Sequence, residues 1–256
     1  MVKNKTLFYE FPIQVKMKTN RVLMYNEEIS ELAEKIKKLK DIPHFITFEG
    51  VEGSGKTTQA KNLGKFLKKI GYKVLIVKDP GTTKLGEKIR KILKSETKID
   101  TIAELFLFLA ARRQIVEEVI KPEIRKGKII ISDRFTHSTL AYQGRGRLTI
   151  PETLPMLCFI ATGGVEPELT IVLDINPEIG LARVKERYQN QKTREKEDRF
   201  EKEDLEFHRR IREYYIELSS YDENVVLVDA SQDEYEVFKN IIYKLYEFSK
   251  SKYGEK

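Results

Sequence analysis

The sequence predicts an α/β protein in three layers, a five-stranded parallel sheet with helices on both faces. Strand and helix patterns alternate from His44 almost to the end of the chain, and a glycine-rich loop joins the first strand of that series to its first helix. No internal repeat or low-complexity linker interrupts the alternation. A length of 256 residues allows one large domain, or one domain with an appendage, and enough chain for a substantial core.

Residues 1–43 read as an extension to a main domain at 44–256. Phe11, Ile13, Val15 and Met17 alternate like an edge strand, and Asn26 opens a helix with an apolar face at Ile29, Leu32, Ala33, Ile36 and Leu39. A unit of about 40 residues builds little core alone. The stripe is therefore expected to pack on the main domain, with a dimer contact or a partner-docking face as the alternative.

Residues 45–48 form a short buried strand, and residues 58–70 have helical periodicity through Ala60, Leu63, Phe66, Leu67 and Ile70. Between them, Gly50, Gly55, Lys56 and Thr57 complete the pattern G-x-x-x-x-G-K-[ST]. Glycines let successive backbone N–H groups converge on one anion, and the helix that follows adds its positive end. A nucleoside triphosphate is expected on Gly50, Glu52, Gly53, Ser54, Gly55, Lys56, Thr57 and Thr58, which makes the fold of the P-loop NTPase type. Lys56 is expected on the β- and γ-phosphates, and the Thr57 hydroxyl on Mg²⁺.

A second strand over 72–78 ends in Asp79-Pro80-Gly81, on the same rim as the phosphate loop. Thr101 and Glu104 fit a capping box that opens a long helix. Phe108 and Arg112 share a face of that helix, spaced as a base platform or as ordinary core and surface. Residues 128–133 form the third strand, with Asp133 placed to hold Mg²⁺ and Arg134 to face phosphate. Thr136, Ser138 and Thr139 follow, and then residues 142–147, where flexible glycines carry Arg145 and Arg147.

A second capping box at Thr149 and Glu152 begins a helix reaching about 161, and residues 168–174 supply the fourth strand. Asn176 caps the next helix, whose far end carries Arg183 and Arg187 on one face. Residues 188–198 are polar and without apolar period, so they read as a mobile loop in a lid spanning about 183–200. An amphipathic helix at 205–219, a fifth strand at 225–228 and a closing helix at 234–248 complete the series.

A net charge of +7 suits anionic partners, but the basic residues are scattered among acids, which favours a solvated surface with local phosphate sites over nucleic-acid binding. The one cysteine, Cys158, lies in an apolar run and reads as core, consistent with a reducing compartment. His44, His137 and His208 lack metal-ligand spacing, so no zinc site is expected. Without an apolar leader or a run near the ~20 residues of a membrane span, a cytoplasmic protein is expected.

From Phe45 to about Lys250 the chain resembles thymidylate kinases, which convert dTMP and ATP to dTDP and ADP. The markers are the stretch from Glu49 to Thr58, the Asp79-Pro80-Gly81 turn, Leu107 to Arg112, Asp133-Arg134-Phe135, Ala141 to Gly144, and Asp198 to Glu201. The resemblance implies that Phe108 stacks on thymine, that Arg112 and Gln143 meet its polar edge, and that Tyr142 crowds the sugar. It implies Asp79, Pro80, Glu52 and Ser138 near the sugar and acceptor, with Arg134 on the acceptor phosphate. The phosphate loop lacks an arginine, as in the bacterial branch, so the catalytic cations are expected from the lid: Arg183, Arg187 or Arg199. A homodimer is also implied. The chain has Lys78-Asp79 where the family commonly has Arg-Glu, Phe135 where it has Tyr, and no familiar counterpart to residues 1–43. The alternatives are another nucleotide or nucleoside kinase on this fold, including one that accepts dUMP, and a non-catalytic nucleotide-binding regulator.

Overall fold

The structure is a computed structural model that describes residues 27–95, 97–148, 150, 152–190 and 199–256. After helix α1 (Glu27–Lys37), strand β1 (Phe45–Glu49) leads into α2 (Lys56–Lys69), β2 (Val74–Lys78) and α3 (Lys84–Lys94). Helix α4 (Thr101–Ile115) continues through a π-helical turn, Val116–Ile120, into α5 (Lys121–Arg125) and β3 (Ile129–Asp133). Then come α6 (Thr136–Thr139) with a π-helical run, Leu140–Gly146, followed by α7 (Leu154–Thr162), β4 (Leu169–Asp174), α8 (Pro177–Asn190), α9 (Leu205–Tyr221), β5 (Val225–Asp229) and α10 (Glu234–Tyr253).

All five strands are parallel, in the order β2-β3-β1-β4-β5. β1 is central, with Ile46 in register with Ile131 on one side and Leu169 on the other. Both faces of a parallel sheet are covered by crossover helices, which is why β1 and β3 are buried at every position. Ile46 and Phe48 join one core cluster with Ala60, Leu63 and Leu67 of α2 and Phe238 of α10. Phe45 packs edge-on against Phe135, Thr47 pairs with Thr170 at 3.0 Å, and Glu49 meets Tyr215 of α9 at 2.8 Å. Glu49, Lys78, Asp133 and Asp174 thus end four adjacent strands on one rim, where ligands bind in sheets of this kind.

The apolar stripe of α1 is buried. Ile29 and Ile36 are fully inaccessible and share the cluster with Ile241, Ile242 and Leu245 of α10. The backbone of Lys40 donates to Gly254 at 3.0 Å and that of Lys256 to Lys38 at 2.8 Å, so the two chain segments tie to each other. The stripe is left no face for a partner. The strand expected around Phe11 to Met17 lies outside the described residues.

Local chemistry differs from expectation at five places. Asp100 caps α4, its carboxylate accepting from Ile102 and Ala103, and Glu104 is turned inward and fully buried. The helix expected from the box at Thr149 and Glu152 is α7, which begins at Leu154; Thr149 itself lies outside the described residues. The glycines of 142–147 sit in the π-helical run, where a Cβ on Gly146 would meet the Phe207 ring at 2.6 Å. α8 extends through Asn190, so Tyr188 is helical; residues 191–198 of the expected loop lie outside the described residues. α3, hidden by its many lysines, is capped by Thr83, whose hydroxyl accepts from Gly86 at 2.9 Å. No described helix is long and apolar enough to cross a membrane.

Candidate active site

The phosphate loop leaves β1 at Glu49 and enters α2 at Lys56. Gly53, at φ 72°, lies so close to the first turn of α8 that a Cβ would sit 2.0 Å from the Gly180 carbonyl oxygen. Only glycine allows that approach. Lys56 braces the loop, donating to the carbonyls of Gly50 at 3.0 Å and Val51 at 2.7 Å and to the Ser54 hydroxyl at 3.2 Å. Burial, reinforced by the Arg134 guanidinium, pushes the Lys56 ammonium down to about 7 against the pull of Glu52, Asp133 and Glu49.

That depression has a measurable consequence. A polyphosphate beside Lys56 favours the ammonium, so binding at pH 8 takes up close to one proton, and affinity falls as pH rises above about 7. Calorimetry of ATP binding in two buffers of different ionisation enthalpy reads the uptake; equal heats in both would contradict it.

Across the loop, the Thr57 hydroxyl donates to Asp133 Oδ2 at 2.6 Å, and Lys78 Nζ stands 3.6 Å from the same oxygen. Burial raises the Asp133 carboxyl, but Lys78, Thr57, Arg134 and Lys56 outweigh it, so the group is held below the usual carboxylate range. Hard oxygen donors on a rim beside a phosphate loop fit Mg²⁺, which takes few protein ligands and shares itself with phosphates and water. The described residues contain no group of three or more His, Cys, Asp or Glu that could hold a metal ion.

Arg134 follows β3 in a left-handed backbone conformation, φ 77°, uncommon for a residue with a side chain. Its guanidinium pairs with Glu52 at 2.7 Å, lies 3.2 Å from the Ser138 hydroxyl and stacks over the Tyr142 ring at 4.8 Å. Tyr142 donates its hydroxyl to Glu52 at 2.7 Å, and the buried His208 stands 3.4 Å from the other side of that carboxylate. Burial pushes Glu52 up, yet Arg134, His208 and Lys56 hold it well below the usual range.

A second buried set lies beside it. Arg112 is 1 % exposed and donates to Asp79 at 2.7 Å, to the Thr139 hydroxyl at 2.6 Å and to the Phe135 carbonyl at 2.9 Å. Phe108, one turn earlier on α4, packs against Phe200 with centroids 5.9 Å apart. Gln143 donates through Nε2 to Glu104 at 2.8 Å.

One cavity of about 1070 Å³ is lined by both sets: Glu52, Gly53, Gly55, Lys56, Thr57 and Thr58 at one end, and Asp79, Pro80, Phe108, Arg112, Ser138, Tyr142 and Gln143 at the other, with Asp133 and Arg134 between. Gly50 and Ser54 of the loop are not among the cavity's lining residues and accept from Lys56 instead. Of the lid arginines, Arg183 donates to the carbonyls of Ala230 and Ser231 and Arg187 pairs with Glu201 at 2.9 Å, both on the cavity wall. Arg199 is turned away to an ion pair with Glu104 and is not among the residues lining the cavity. Arg90, Lys94 and Phe200 also line it and were not anticipated. Arg90 and Lys94 share one face of α3, so recognising that helix is the signal that finds them.

A phosphate loop with a Thr-Asp pair able to hold a metal, opening into a cavity with an aromatic ring, a buried guanidinium and an amide, fits a P-loop phosphotransferase that acts on a small nucleotide. A family model described as thymidylate kinase matches residues 48–241. A thymidylate kinase of Maridesulfovibrio salexigens is 48% identical over 206 residues, covering 79% of this chain and 95% of that protein. One of Caldanaerobacter subterraneus subsp. tengcongensis is 40% identical over 208 residues, covering 80% and 96%. The crystal structure of a thymidylate kinase from Ehrlichia chaffeensis superposes with a TM-score of 0.63 at 29% identity, covering 78% of this chain and 97% of that one. The chain belongs to the thymidylate kinase family.

Proposed function

We propose that this protein phosphorylates dTMP to dTDP, with Mg-ATP as donor. The observation that carries the reading is the cavity that runs from Lys56 and Thr57 to Phe108, Arg112 and Gln143, so donor and acceptor nucleotides share one cleft.

The acceptor oxygen is already an anion, so no strong general base is needed; positioning and charge neutralisation are. Lys56 and the N-terminus of α2 hold the donor phosphates. Thr57 and Asp133 would hold Mg²⁺, which would supply charge neutralisation for the donor phosphates. Arg134, fixed by Glu52 and by the Tyr142 ring, presents a cation on the rim between the two ends of the cavity. Arg183 and Arg187 supply further positive charge from the lid side and, with closure, exclude water. Tyr142 occupies the sugar region with its hydroxyl committed to Glu52.

ADP release measured across a nucleotide panel tests this. We expect dTMP to be used with a kcat/KM well above that of dCMP, dGMP and dAMP. Equal use of dCMP would remove the base assignments at Phe108, Arg112 and Gln143.

A homodimer is part of the proposal. Phe106 on α4 and Met156, Phe159 and Ile160 on α7 are each more than half exposed on two helices that pack together, and such patches mark interfaces. Sedimentation equilibrium should return twice the 29.9 kDa chain mass; a monomer mass at assay concentrations would remove this part.

A further inference from the structure

Glu104 does not line the cavity, yet it is a carboxylate only 1 % exposed, two turns from Arg112 on the face of α4 that also carries Phe108. Burial of a charge is costly unless it is paired, and here Arg147 and Arg199 form ion pairs with it. An ionised carboxylate only accepts hydrogen bonds. Its 2.8 Å contact with Gln143 is therefore made through the Nε2 amide N–H. The flipped amide would set Oε1 against the carboxylate in a dry site, two acceptors facing with no donor between them. Arg147 is in turn anchored at 2.6 Å by Glu203, so the carboxylate is held from behind.

The orientation of that amide has a chemical consequence. Gln143 lines the cavity, and among the described residues its Oε1 takes part in no hydrogen bond, so the acceptor end is the one left for a ligand. Arg112, which also lines the cavity, spends three of its five N–H groups on Asp79, Thr139 and the Phe135 carbonyl, and the Cys158 thiol stands beside a further one, which leaves a donor for a ligand. An acceptor and a guanidinium donor lining one cavity complement an imide edge, with its N3–H between two carbonyls. It repels a 4-aminopyrimidine, whose N3 lone pair would face Oε1 and whose amino group would face the guanidinium.

We propose that Glu104 is a positioning residue for base selection: by fixing the amide of Gln143 it admits an imide base, thymine or uracil, and excludes cytosine. This rests on the assignment of dTMP as acceptor and extends it to a residue that does not touch the substrate.

The test measures kcat and KM for dTMP, dUMP and dCMP on the wild type, Glu104→Gln and Gln143→Leu, with thermal unfolding recorded for each. In Glu104→Gln the new amide either donates or accepts, so Gln143 is free to flip. We expect the dTMP to dCMP ratio of kcat/KM to fall by about tenfold or more, through KM rather than kcat, with the dTMP to dUMP ratio unchanged. A merely structural role would lower all three substrates together and leave both ratios in place, and that result would overturn the proposal. Gln143→Leu keeps Glu104 and its arginines; it serves if the first variant does not fold, and retention of the wild-type dTMP to dCMP ratio in it overturns the proposal equally. A wild type that does not prefer dTMP over dCMP defeats the assigned function itself, whereas a selective wild type with a selective Glu104→Gln defeats only the role of Glu104.

Discussion

Lys56→Ala lowers kcat by about three orders of magnitude while the protein still unfolds near its wild-type temperature. The first half follows from position. Lys56 is the cation at the mouth of the phosphate loop, and loss of one preorganised donor on a developing charge costs about 10²–10³ in kcat. The second half follows from burial. The ammonium is 7 % exposed and its pKa is pushed down by desolvation, so removing it relieves a cost that offsets the lost bonds to Gly50, Val51 and Ser54. A coupled assay of ADP release and a thermal melt on the same sample separate the two. A folded variant with turnover close to wild type would rule out phosphoryl transfer at this loop.

Arg112→Leu has the opposite signature, a loss of stability together with a loss of dTMP affinity. It removes the guanidinium from Asp79, whose Oδ1 already lacks a hydrogen-bond partner in the buried site. Breaking a buried pair from one side costs roughly 3–5 kcal/mol, which for a chain of this size lowers Tm by roughly 10 °C. Adding Asp79→Asn removes the stranded charge and should recover part of that loss, a coupling a double-mutant cycle reads directly. The pH dependence has a definite sign. Burial raises the Asp79 carboxyl even with Arg112 opposing it, and without Arg112 it rises further. The folded variant then binds more protons than the unfolded chain above the ordinary aspartate range. Its deficit therefore grows as pH rises through that window and shrinks as pH falls toward it. A deficit that stays constant with pH would show that the lost stability is packing and not charge.

Glu104 and Glu52 mark the limit of what spacing reveals. Thr101 and Glu104 fit a capping box as well as any pair in the chain, yet Asp100 takes the cap, and Glu104 turns inward to residues 39, 43 and 95 positions away. Capping patterns describe which backbone N–H groups need an acceptor, and a neighbour one residue earlier satisfied them first. Glu52 is expected from the sequence on the nucleotide and near the acceptor. It proves to be the carboxylate that fixes Arg134 and Tyr142, partners 82 and 90 residues distant. In the same way, the lysines of α3 concealed a helix that brings Arg90 and Lys94 to the cavity, and the stripe of α1 found its cover on α10 at the far end of the chain.

The sequence by itself determined the five strands in chain order and most of the helices between them, the phosphate loop, and the acid at the end of β3. Each of these depends on residues a few positions apart, whose periodicity or backbone freedom is set locally. Only the tertiary structure decided which charge meets which: Arg112 with Asp79, Arg134 with Glu52, Arg187 with Glu201, and Arg199 with Glu104. Ion pairs in a buried site are chosen by desolvation, because a charge taken out of water binds whatever opposite charge the fold carries to it, and spacing along the chain does not record that meeting.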